Sequence, residues 1–480
     1  MKMPSPPRLL AAGFHTIAAL ALVSAGCDKR QAVVARPMSG DEVFALTAEW
    51  PAFIQSTNPK VDILFMVDNS PSMRPLQQRL VAGFSDFMTA LQNLPGGVPD
   101  FHLGVVTSDL GAGPISPTMA CVPGGDNGRF QTADRNTASC QNGRLNPGQK
   151  FLIGSNDPGA SNFTGNLTDA FGCLALVGDQ GCGFEHQLAS VRRALDPARA
   201  PVENAGFLRP EAFLAVVLVT NEDDCSAPAD TMLFDPRSQT LSDPLGPLSS
   251  FRCNEFGHRC LINGTLQHPA RDQDATYQGC VSDEAGKLDR VGDFVSFLKD
   301  LKGDPARVFL AAVAGLPTPY TVARMPLQEA SGITEEAPSV AHSCTASDGA
   351  YADPSVRIGQ AVESFGGHGL MASICDERMG PVLNQISQAF SRPMAAPCVA
   401  TPDPTGSGCT VVDRWIDAAG AKNAARLSNC AETGGAPPCW ELQADTAACG
   451  GGTRRLLVNR GMETVPATLM TAIDCTAPHP

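Results

Sequence analysis

The stretch "VDILFMVDNSPSM", residues 61–73, decides the fold class of this chain. Its first seven residues are mostly apolar, which predicts a strand that is buried on both faces. Asp68, Ser70 and Ser72 follow directly, with the spacing Asp-x-Ser-x-Ser. The sequence therefore places one carboxylate and two hydroxyls at the tip of a buried strand, and this combination needs a chemical reason.

The residues after this stretch alternate between helical and strand patterns. Apolar residues recur at three- to four-residue spacing, which predicts an amphipathic helix, at Leu76, Leu80, Val81, Phe84, Phe87, Met88 and Leu91. Continuous apolar runs predict further strands at 101–109, 213–220 and 307–315, and helical periodicity predicts helices at 184–195, 289–301 and 379–390. This order predicts an α/β fold built on a doubly wound, mostly parallel sheet. Ligands of such sheets bind beyond the carboxyl ends of the strands, where Asp68, Ser70 and Ser72 lie.

Cysteine-rich segments interrupt and follow this pattern. Glycine- and asparagine-rich residues 110–183 are too long for a plain connection and predict a disulfide-stapled insertion, and 222–284 predict a second one. The main domain is expected at 59–392. Residues 393–480 hold six cysteines and one strand-like piece, "RRLLVNR", and predict a small disulfide-stapled C-terminal module.

The N-terminus has the pattern of an export signal. Lys2 and Arg8 precede an apolar run at 9–23 that ends in small residues, which predicts a signal peptide over 1–26. "SAGC", residues 24–27, resembles a lipobox, with Cys27 as the lipid-modified first residue of a tether at 27–58. Ordinary cleavage after "VSA", residues 23–25, is the alternative.

Cysteine parity agrees with lipid on Cys27. The chain has 17 cysteines, so modification of Cys27 leaves 16, enough for up to eight disulfides. No Cys-x-x-Cys occurs, which argues against zinc ribbons and thioredoxin-like motifs. No apolar run after the signal approaches the roughly 20 residues that span a bilayer. The sequence thus predicts a disulfide-bonded protein of the bacterial cell envelope, anchored to a membrane by lipid and lying outside the cytoplasm.

The acidic charge excludes one class of partner. The formal net charge is −14, and removal of residues 1–26 takes away two basic residues and no acid, which leaves −16. Such a surface repels nucleic acid, so no nucleic-acid partner is expected. It is compatible with metal binding and with cationic partners.

The Asp-x-Ser-x-Ser motif suits a hard divalent cation. Mg²⁺, and likewise Mn²⁺ or Ca²⁺, prefers oxygen ligands, and Mg²⁺ usually keeps waters beside one or two carboxylates. One carboxylate and two neutral hydroxyls leave such a cation electron-poor, so it can accept a further carboxylate from a protein partner. The alternative is structural: Ser72 and Asp68 can simply cap a helix and a turn.

These residues resemble a known family. "DILFMVDNSPSM" is similar to the first strand and the metal-ion-dependent adhesion site of von Willebrand factor A domains, a doubly wound, Rossmann-like fold. "HLGVVTSD" and "AVVLVTNEDD" resemble two later strands of that family, and the similarity of element order extends over residues 60–391. The cysteine-rich insertions and the lipobox bring the chain closest to bacterial lipoproteins that carry such a domain.

The resemblance implies that Asp68, Ser70 and Ser72 bind the metal. The family's second aspartate aligns with Asn221, which keeps a carbonyl oxygen but loses one negative charge. The family's threonine is absent from "GCGFEHQ", which precedes the helix at 184–195. Other oxygen donors could take these places, namely Asp223 or Asp224 beside Asn221, and Glu185 or Asp109 for the threonine.

Two function hypotheses of different classes follow. The first is a lipid-anchored, adhesion-type binding protein that uses the metal to hold an acidic side chain of a protein partner and contacts the membrane through lipid on Cys27. The second is a structural envelope protein in which the same domain is degenerate and free of metal. An enzyme is not expected, because no nucleophile, base and orienting residue stand at a recognisable spacing.

Overall fold

The computed structural model describes residues 38–48, 50–54, 59–94, 97–132, 140, 144–326, 336–401, 403, 405–444, 449 and 453–475. The predicted signal peptide at 1–26 and the predicted lipid-bearing Cys27 lie outside these residues. Ser39–Pro480 form one compact unit.

The described residues contain 22 strands, nine α-helices and six short 3-10 helices. The strands are β1 (Ala52–Ile54), β2 (Lys60–Val67), β3 (Asp100–Thr107), β4 (Arg144–Leu145), β5 (Leu152–Gly154), β6 (Phe163–Thr164), β7 (Phe213–Val219), β8 (His258–Ile262), β9 (Thr265–Gln267), β10 (Ala275–Ser282), β11 (Val308–Ala314), β12 (Tyr320–Pro326), β13 (Glu336–Val340), β14 (Cys344–Thr345), β15 (Tyr351–Ala352), β16 (Gly369–Ser373), β17 (Cys398–Ala400), β18 (Thr410–Ile416), β19 (Lys422–Asn429), β20 (Cys439–Gln443), β21 (Thr453–Asn459) and β22 (Met470–Asp474). The helices are α1 (Gly40–Leu46), α2 (Arg74–Gln92), α3 (Leu167–Ala175), α4 (Gln187–Leu195), α5 (Phe251–Gly257), α6 (Val291–Asp300), α7 (Val356–Glu363), α8 (Met379–Ser391) and α9 (Cys430–Thr433). The 3-10 helices are Pro71–Met73, Pro158–Ala160, Val202–Asn204, Pro305–Arg307, Gly366–His368 and Arg392–Met394.

The predicted apolar strands pair in one six-stranded sheet. Its order is β16-β11-β7-β2-β3-β5, and all neighbouring pairs are parallel except β3 with β5. The strands predicted at 61–67, 101–109, 213–220 and 307–315 are confirmed as β2, β3, β7 and β11. Each of these four is almost wholly buried, because helices cover both faces of the sheet.

Helices pack on the two faces through two separate apolar clusters. Along β2, Phe65 packs with the cluster that also holds apolar residues of α2, α3 and α8, whereas Met66 packs with the cluster of α4, α6 and α7. The helices predicted after residue 73 and at 184–195, 289–301 and 379–390 are confirmed as α2, α4, α6 and α8. Side chains of a strand alternate between the faces, so a continuous apolar run supplies both clusters at once.

The prediction of one doubly wound, mostly parallel sheet as the fold of this chain is wrong. The described residues form five sheets in a mixed α/β architecture. A seven-stranded sheet, ordered β1-β22-β18-β19-β20-β21-β17, has a single parallel pair, β19 with β20, and the five-stranded sheet β13-β12-β10-β8-β9 is antiparallel throughout. These strands carry solvent-exposed positions, as β9 and β19 show, so they lack the continuous apolar runs that identified the parallel strands.

The seven-stranded sheet joins the C-terminal residues to an early segment. Six of its strands lie between residues 398 and 474, and the seventh, β1, comes from the segment predicted as a tether. "RRLLVNR" is confirmed as β21, but the other five C-terminal strands were not predicted. The buried Arg414 of β18 binds Asp304 (Nε to Oδ2, 2.7 Å) and the backbone carbonyl of Thr47 (2.5 Å), so the sheet is tied to two distant parts of the chain.

The predicted disulfides are confirmed. All 16 cysteines after Cys27 are paired: Cys121–Cys182, Cys140–Cys173, Cys225–Cys253, Cys260–Cys280, Cys344–Cys375, Cys398–Cys449, Cys409–Cys475 and Cys430–Cys439. Two pairs close within 110–183 and two within 222–284, as the insertion hypothesis expects. Because disulfides persist in oxidising compartments, they indicate a protein that folds outside the cytoplasm.

Helices α2 and α8 cross at a glycine pair, which gives a test of the packing. A Cβ on Gly83 would lie 2.7 Å from the backbone nitrogen of Gly380, whereas a Cβ on Gly292 of α6 would meet only the flexible end of Glu284. Replacing a helical glycine with alanine normally stabilises a helix by about 1 kcal/mol. We expect Gly83→Ala instead to lower the free energy of unfolding by about 1–3 kcal/mol, because the helices must separate. Urea unfolding measures this change.

The matched control for this packing test is Gly292→Ala, which should be neutral or stabilising. Equal effects of the two substitutions on the free energy of unfolding would contradict the close contact between α2 and α8.

Candidate functional site

The ends of three parallel strands meet at one edge of the six-stranded sheet. Val67, the last residue of β2, pairs with Thr107 of β3 and with Val219 of β7. The next residues along these strands are Asp68, Ser108 and Thr220, so the strand register brings three polar side chains to one place. Ser108 and Thr220 were not among the predicted site residues, although both lie at the carboxyl ends of strands predicted from the sequence.

Asp68 is fully buried and is held by neutral donors. Its Oδ1 accepts hydrogen bonds from the backbone nitrogen of Ser70 (2.8 Å) and from the hydroxyl of Ser108 (3.1 Å), and its Oδ2 accepts one from the hydroxyl of Thr220 (2.7 Å). Burial raises the pKa of Asp68, while these hydrogen bonds oppose the rise. The carboxyl group is thus fixed in orientation.

The structure brings the other predicted metal ligands beside Asp68. The hydroxyls of Ser70 and Ser72 lie 3.4 Å apart, and the Ser70 hydroxyl also hydrogen bonds to Asp68. Ser72 donates to Oδ1 of Asn221 at 3.1 Å. Asn221 is buried, and its Nδ2 has no hydrogen-bond partner among the described residues. The four residues predicted as primary ligands therefore converge although Asn221 is far from the others in sequence.

A pair of glutamates lies next to this group. Glu185 precedes α4 and Glu222 follows Asn221, and their carboxyl groups share a hydrogen bond. Burial and the nearby charges of Glu222 and Asp68 raise the pKa of Glu185 well above its usual range. Burial and the charges of Asp353 and Asp68 raise the pKa of Glu222 to about 8. Oε1 of Glu185, a residue only 1% exposed, has no hydrogen-bond partner among the described residues. Glu222 was missed, although it stands in the "NEDD" turn beside Asn221.

The remaining predicted donors are engaged elsewhere. Oδ1 of Asp109 accepts from the backbone nitrogen of Gly111 at 2.8 Å. Asp223 binds Nε2 of His258 at 2.8 Å, and Asp224 binds Nη2 of the buried Arg357 at 2.9 Å. Although burial raises the pKa of Asp223, hydrogen bonds from His258 and from two backbone N–H groups lower it overall. The structure brings Glu185 to the group around Asp68, but it directs Asp223 and Asp224 into contacts of their own.

The charges at the two ends of β2 differ in how they are balanced. Near the amino end, the buried carboxylate of Asp62 binds Arg209 (Nε to Oδ1, 2.9 Å) and Lys302 (Nζ to Oδ2, 2.9 Å). At the carboxyl end, no described Lys or Arg forms an ion pair with Asp68, Glu185 or Glu222. This group of three carboxyls, together with Ser70, Ser72 and Asn221, is called the strand-end site below.

A short hairpin borders the strand-end site. β14 and β15 pair through Thr345 and Tyr351, and the hydroxyl of Tyr351 lies beside Ser72. The ring of His342 stacks on Tyr351 with a centroid distance of 3.8 Å, and its Nδ1 contacts Oδ1 of Asp353 at 2.6 Å. Burial and the charges of nearby carboxyls, Glu222 first among them, raise the pKa of Tyr351. Sequence reasoning missed this hairpin, which carries no metal-ligand pattern.

The donor set of the strand-end site fits a hard divalent cation. Hydroxyl, amide and carboxyl oxygens are the ligands that Mg²⁺ and Ca²⁺ take. The described residues hold no cluster of three or more His, Cys, Asp or Glu arranged as a metal centre, so a cation here would depend on Ser70, Ser72 and Asn221. Such a cation would give the buried Oε1 of Glu185 a partner. It would also lower the raised pKa values of Asp68 and Glu185.

Comparisons with known proteins leave the family open. No protein-family model and no curated protein matches the chain. Among solved structures, the pilus adhesin SpaC from Lactobacillus rhamnosus GG is 13% identical (TM-score 0.30, covering 88% of this chain and 39% of that one). The pilus adhesin RrgA from Streptococcus pneumoniae is 10% identical (TM-score 0.27, 88% and 57%), and the human COPII-coat protein Sec24c is 7% identical (TM-score 0.28, 88% and 44%). The match covers less than two thirds of each, and similarity this low carries no argument about function.

The glutamate pair predicts how stability depends on pH. Because the pKa of Glu222 rises from 4.5 to about 8 on folding, its contribution to stability is complete below pH 4.5 and is lost as the pH rises through 8. In chelator, we expect Glu222→Gln to flatten the decline of the unfolding free energy between pH 5 and 8. Where the folded state holds one proton more than the unfolded state, the free energy of unfolding falls by at most about 1.4 kcal/mol for each pH unit. Urea unfolding at several pH values measures the two profiles.

The matched control for the pH test is Glu377→Gln, at an exposed glutamate. Its profile should follow that of the wild type. Parallel profiles for the wild type and Glu222→Gln would show that Glu222 keeps its ordinary pKa in the folded protein.

Proposed function

We propose that this protein is an exported, adhesion-type binding protein that holds a divalent cation at the strand-end site. Asp68, Ser70, Ser72 and Asn221 would be its ligands, and an acidic side chain of a protein partner would complete its coordination. One observation carries the proposal: three buried or partly buried carboxyls meet neutral oxygen donors there without a described Lys or Arg. The template is the metal-ion-dependent adhesion site of von Willebrand factor A domains, to which these residues are similar.

The charge of the site supports this role. Burial and the charge of Glu222 raise the pKa of Glu185, and burial raises the pKa of Glu222 to about 8. A bound cation would oppose this effect, because a positive charge nearby favours the ionised form of a carboxyl group. The direct ligands Ser70, Ser72 and Asn221 are neutral, so the cation remains able to bind a carboxylate. Mg²⁺ is the first choice, with Mn²⁺ or Ca²⁺ as alternatives.

The location of the protein follows partly from the disulfides and partly from the proposed lipid anchor. Sixteen cysteines pair with one another, so none of them is left to pair with Cys27. This supports lipid on Cys27 and attachment to a membrane of the bacterial envelope. Among the described residues, no helix has both the length and the apolar character needed to cross a bilayer.

A structural envelope protein without metal is the second candidate. Its supporting observation is that Asp68 accepts hydrogen bonds from Ser70, Ser108 and Thr220, and that Ser72 donates to Asn221, so protein groups satisfy these oxygens. In that case the polar groups at the strand ends would serve packing only, and a partner would bind elsewhere.

Calorimetry on the oxidised chain, residues 28–480, separates the two candidates. We expect one Mg²⁺ or Mn²⁺ per chain, no detectable binding after Asp68→Ala, and a loss of affinity of about tenfold or more after Ser72→Ala, because a ligand oxygen is removed. Asp230→Ala, at an exposed aspartate, is the control and should bind as the wild type does. A wild-type chain that takes up neither ion would favour the structural candidate.

Asn221→Asp tests the same site by adding charge. A fourth carboxyl beside Asp68, Glu185 and Glu222 should lower the metal-free melting temperature, since like charges repel, and should raise the Mg²⁺ affinity. Asn146→Asp, at an exposed asparagine outside the helices, is the control for both readouts. Thermal unfolding with chelator and with Mg²⁺ measures the effect. A lower melting temperature that Mg²⁺ does not restore would argue against a cation at Asn221.

A further inference from the structure

The hairpin formed by β14 and β15 is held rigidly beside the strand-end site. Cys344 is bonded to Cys375, and Asp348 at the turn forms an ion pair with Arg79 of α2. The backbone nitrogen of Asp353, just after β15, donates to the carbonyl of Asn221 at 2.8 Å. These three contacts link the hairpin to the segment after β16, to helix α2 and to Asn221 of the strand-end site.

Two rings of this hairpin region border the strand-end site. Tyr351 is partly exposed, and the side chain of His342 is 44% exposed. The rings are nearly parallel, with 19° between their planes, and Asp353 holds Nδ1 of His342. The Tyr351 ring is therefore supported on one side by a stacked imidazole, which limits the directions that its hydroxyl can take.

The Tyr351 hydroxyl approaches the strand-end site from the hairpin, and not from the end of a parallel strand. It lies within hydrogen-bond reach of Ser72, a proposed ligand. A carboxylate that binds a cation through one oxygen leaves its second oxygen to be satisfied by a donor close by. The carboxyls of Asp68, Glu185 and Glu222 would repel this second oxygen, so a hydroxyl donor beside it would stabilise the bound carboxylate.

We propose that Tyr351, supported by His342, orients the partner's carboxylate by donating a hydrogen bond to the oxygen that the cation does not hold. This inference rests on the proposed function, and it adds the residue that selects a carboxylate over other oxygen ligands. A neutral amide or alcohol at the same place would gain less, because a hydrogen bond to an ionised acceptor is about twice as strong. Tyr351 is a positioning and specificity residue for the partner, distinct from the residues that bind the cation.

Acetate is a direct probe of this role. With the strand-end site saturated by Mn²⁺, the bound ion broadens the methyl proton signal of acetate that coordinates it, and a titration gives the acetate affinity. We expect Tyr351→Phe, which keeps the stacked ring and removes only the hydroxyl, to weaken acetate binding by about three- to tenfold. The Mn²⁺ affinity, measured separately by calorimetry, should change by less than about twofold. Acetamide should show no comparable broadening with either protein.

Two matched variants control the acetate experiment. Tyr277→Phe removes a hydroxyl that binds the backbone nitrogen of Ala270 in the five-stranded sheet region, and it should leave both affinities unchanged. Asp68→Ala should abolish the broadening, which shows that it arises from Mn²⁺ in the strand-end site.

The outcomes separate this inference from the function on which it rests. Wild-type affinity of Tyr351→Phe for acetate would overturn the role of Tyr351 and leave the cation site intact. An equal loss of Mn²⁺ and acetate binding would also overturn it, because Tyr351 would then support the cation. Failure of the wild-type protein to bind Mn²⁺ would overturn the proposed function as well.

Discussion

The buried carboxyl group of Asp68 constrains the whole edge of the parallel sheet. Taking a carboxylate out of water costs several kcal/mol unless hydrogen bonds or a cation replace the lost hydration. Here the replacement comes from the hydroxyls of Ser108 and Thr220 and from the backbone of Ser70. These groups meet Asp68 only because β2, β3 and β7 end in register, so the strand pairing and the site depend on each other.

The amino end of β2 shows how a buried carboxylate is usually neutralised. Asp62 is equally buried, but Arg209 and Lys302 neutralise it, which is how buried carboxylates are normally accommodated. Asp68 and the neighbouring glutamate pair have no such partner among the described residues. Two buried aspartates, six residues apart along the chain, thus have different surroundings. Asp62 forms ion pairs within the protein, whereas Asp68 belongs to a group of carboxyls that an external cation could stabilise.

The disulfide-bonded segments determine what surrounds the site. Asp223 and Asp224 leave the strand end toward His258 of β8 and Arg357 of α7, and His258 in turn contacts the buried hydroxyl of Tyr320 at 2.9 Å. These contacts anchor the insertion at 222–284 to the end of β7. They also keep two acids away from Asp68, which limits the negative charge of the strand-end site and leaves the neutral oxygen of Asn221 in it.

The sequence by itself determined the buried strands, the helices that cover them, the disulfide chemistry and the oxygen donors of the Asp68 motif. Each of these depends on local pattern: a continuous apolar run, a helical period, a cysteine count, or three residues that follow one strand. It failed for the C-terminal strands such as β19, because half-exposed antiparallel strands have no such run. Only the tertiary structure decided that Glu222 joins the site, that Tyr351 borders it, and that Asp223 points away from it. Side chains beyond a strand end take their direction from loops, and these loops are held by contacts with residues such as Arg357, 134 positions along the chain from Asp223.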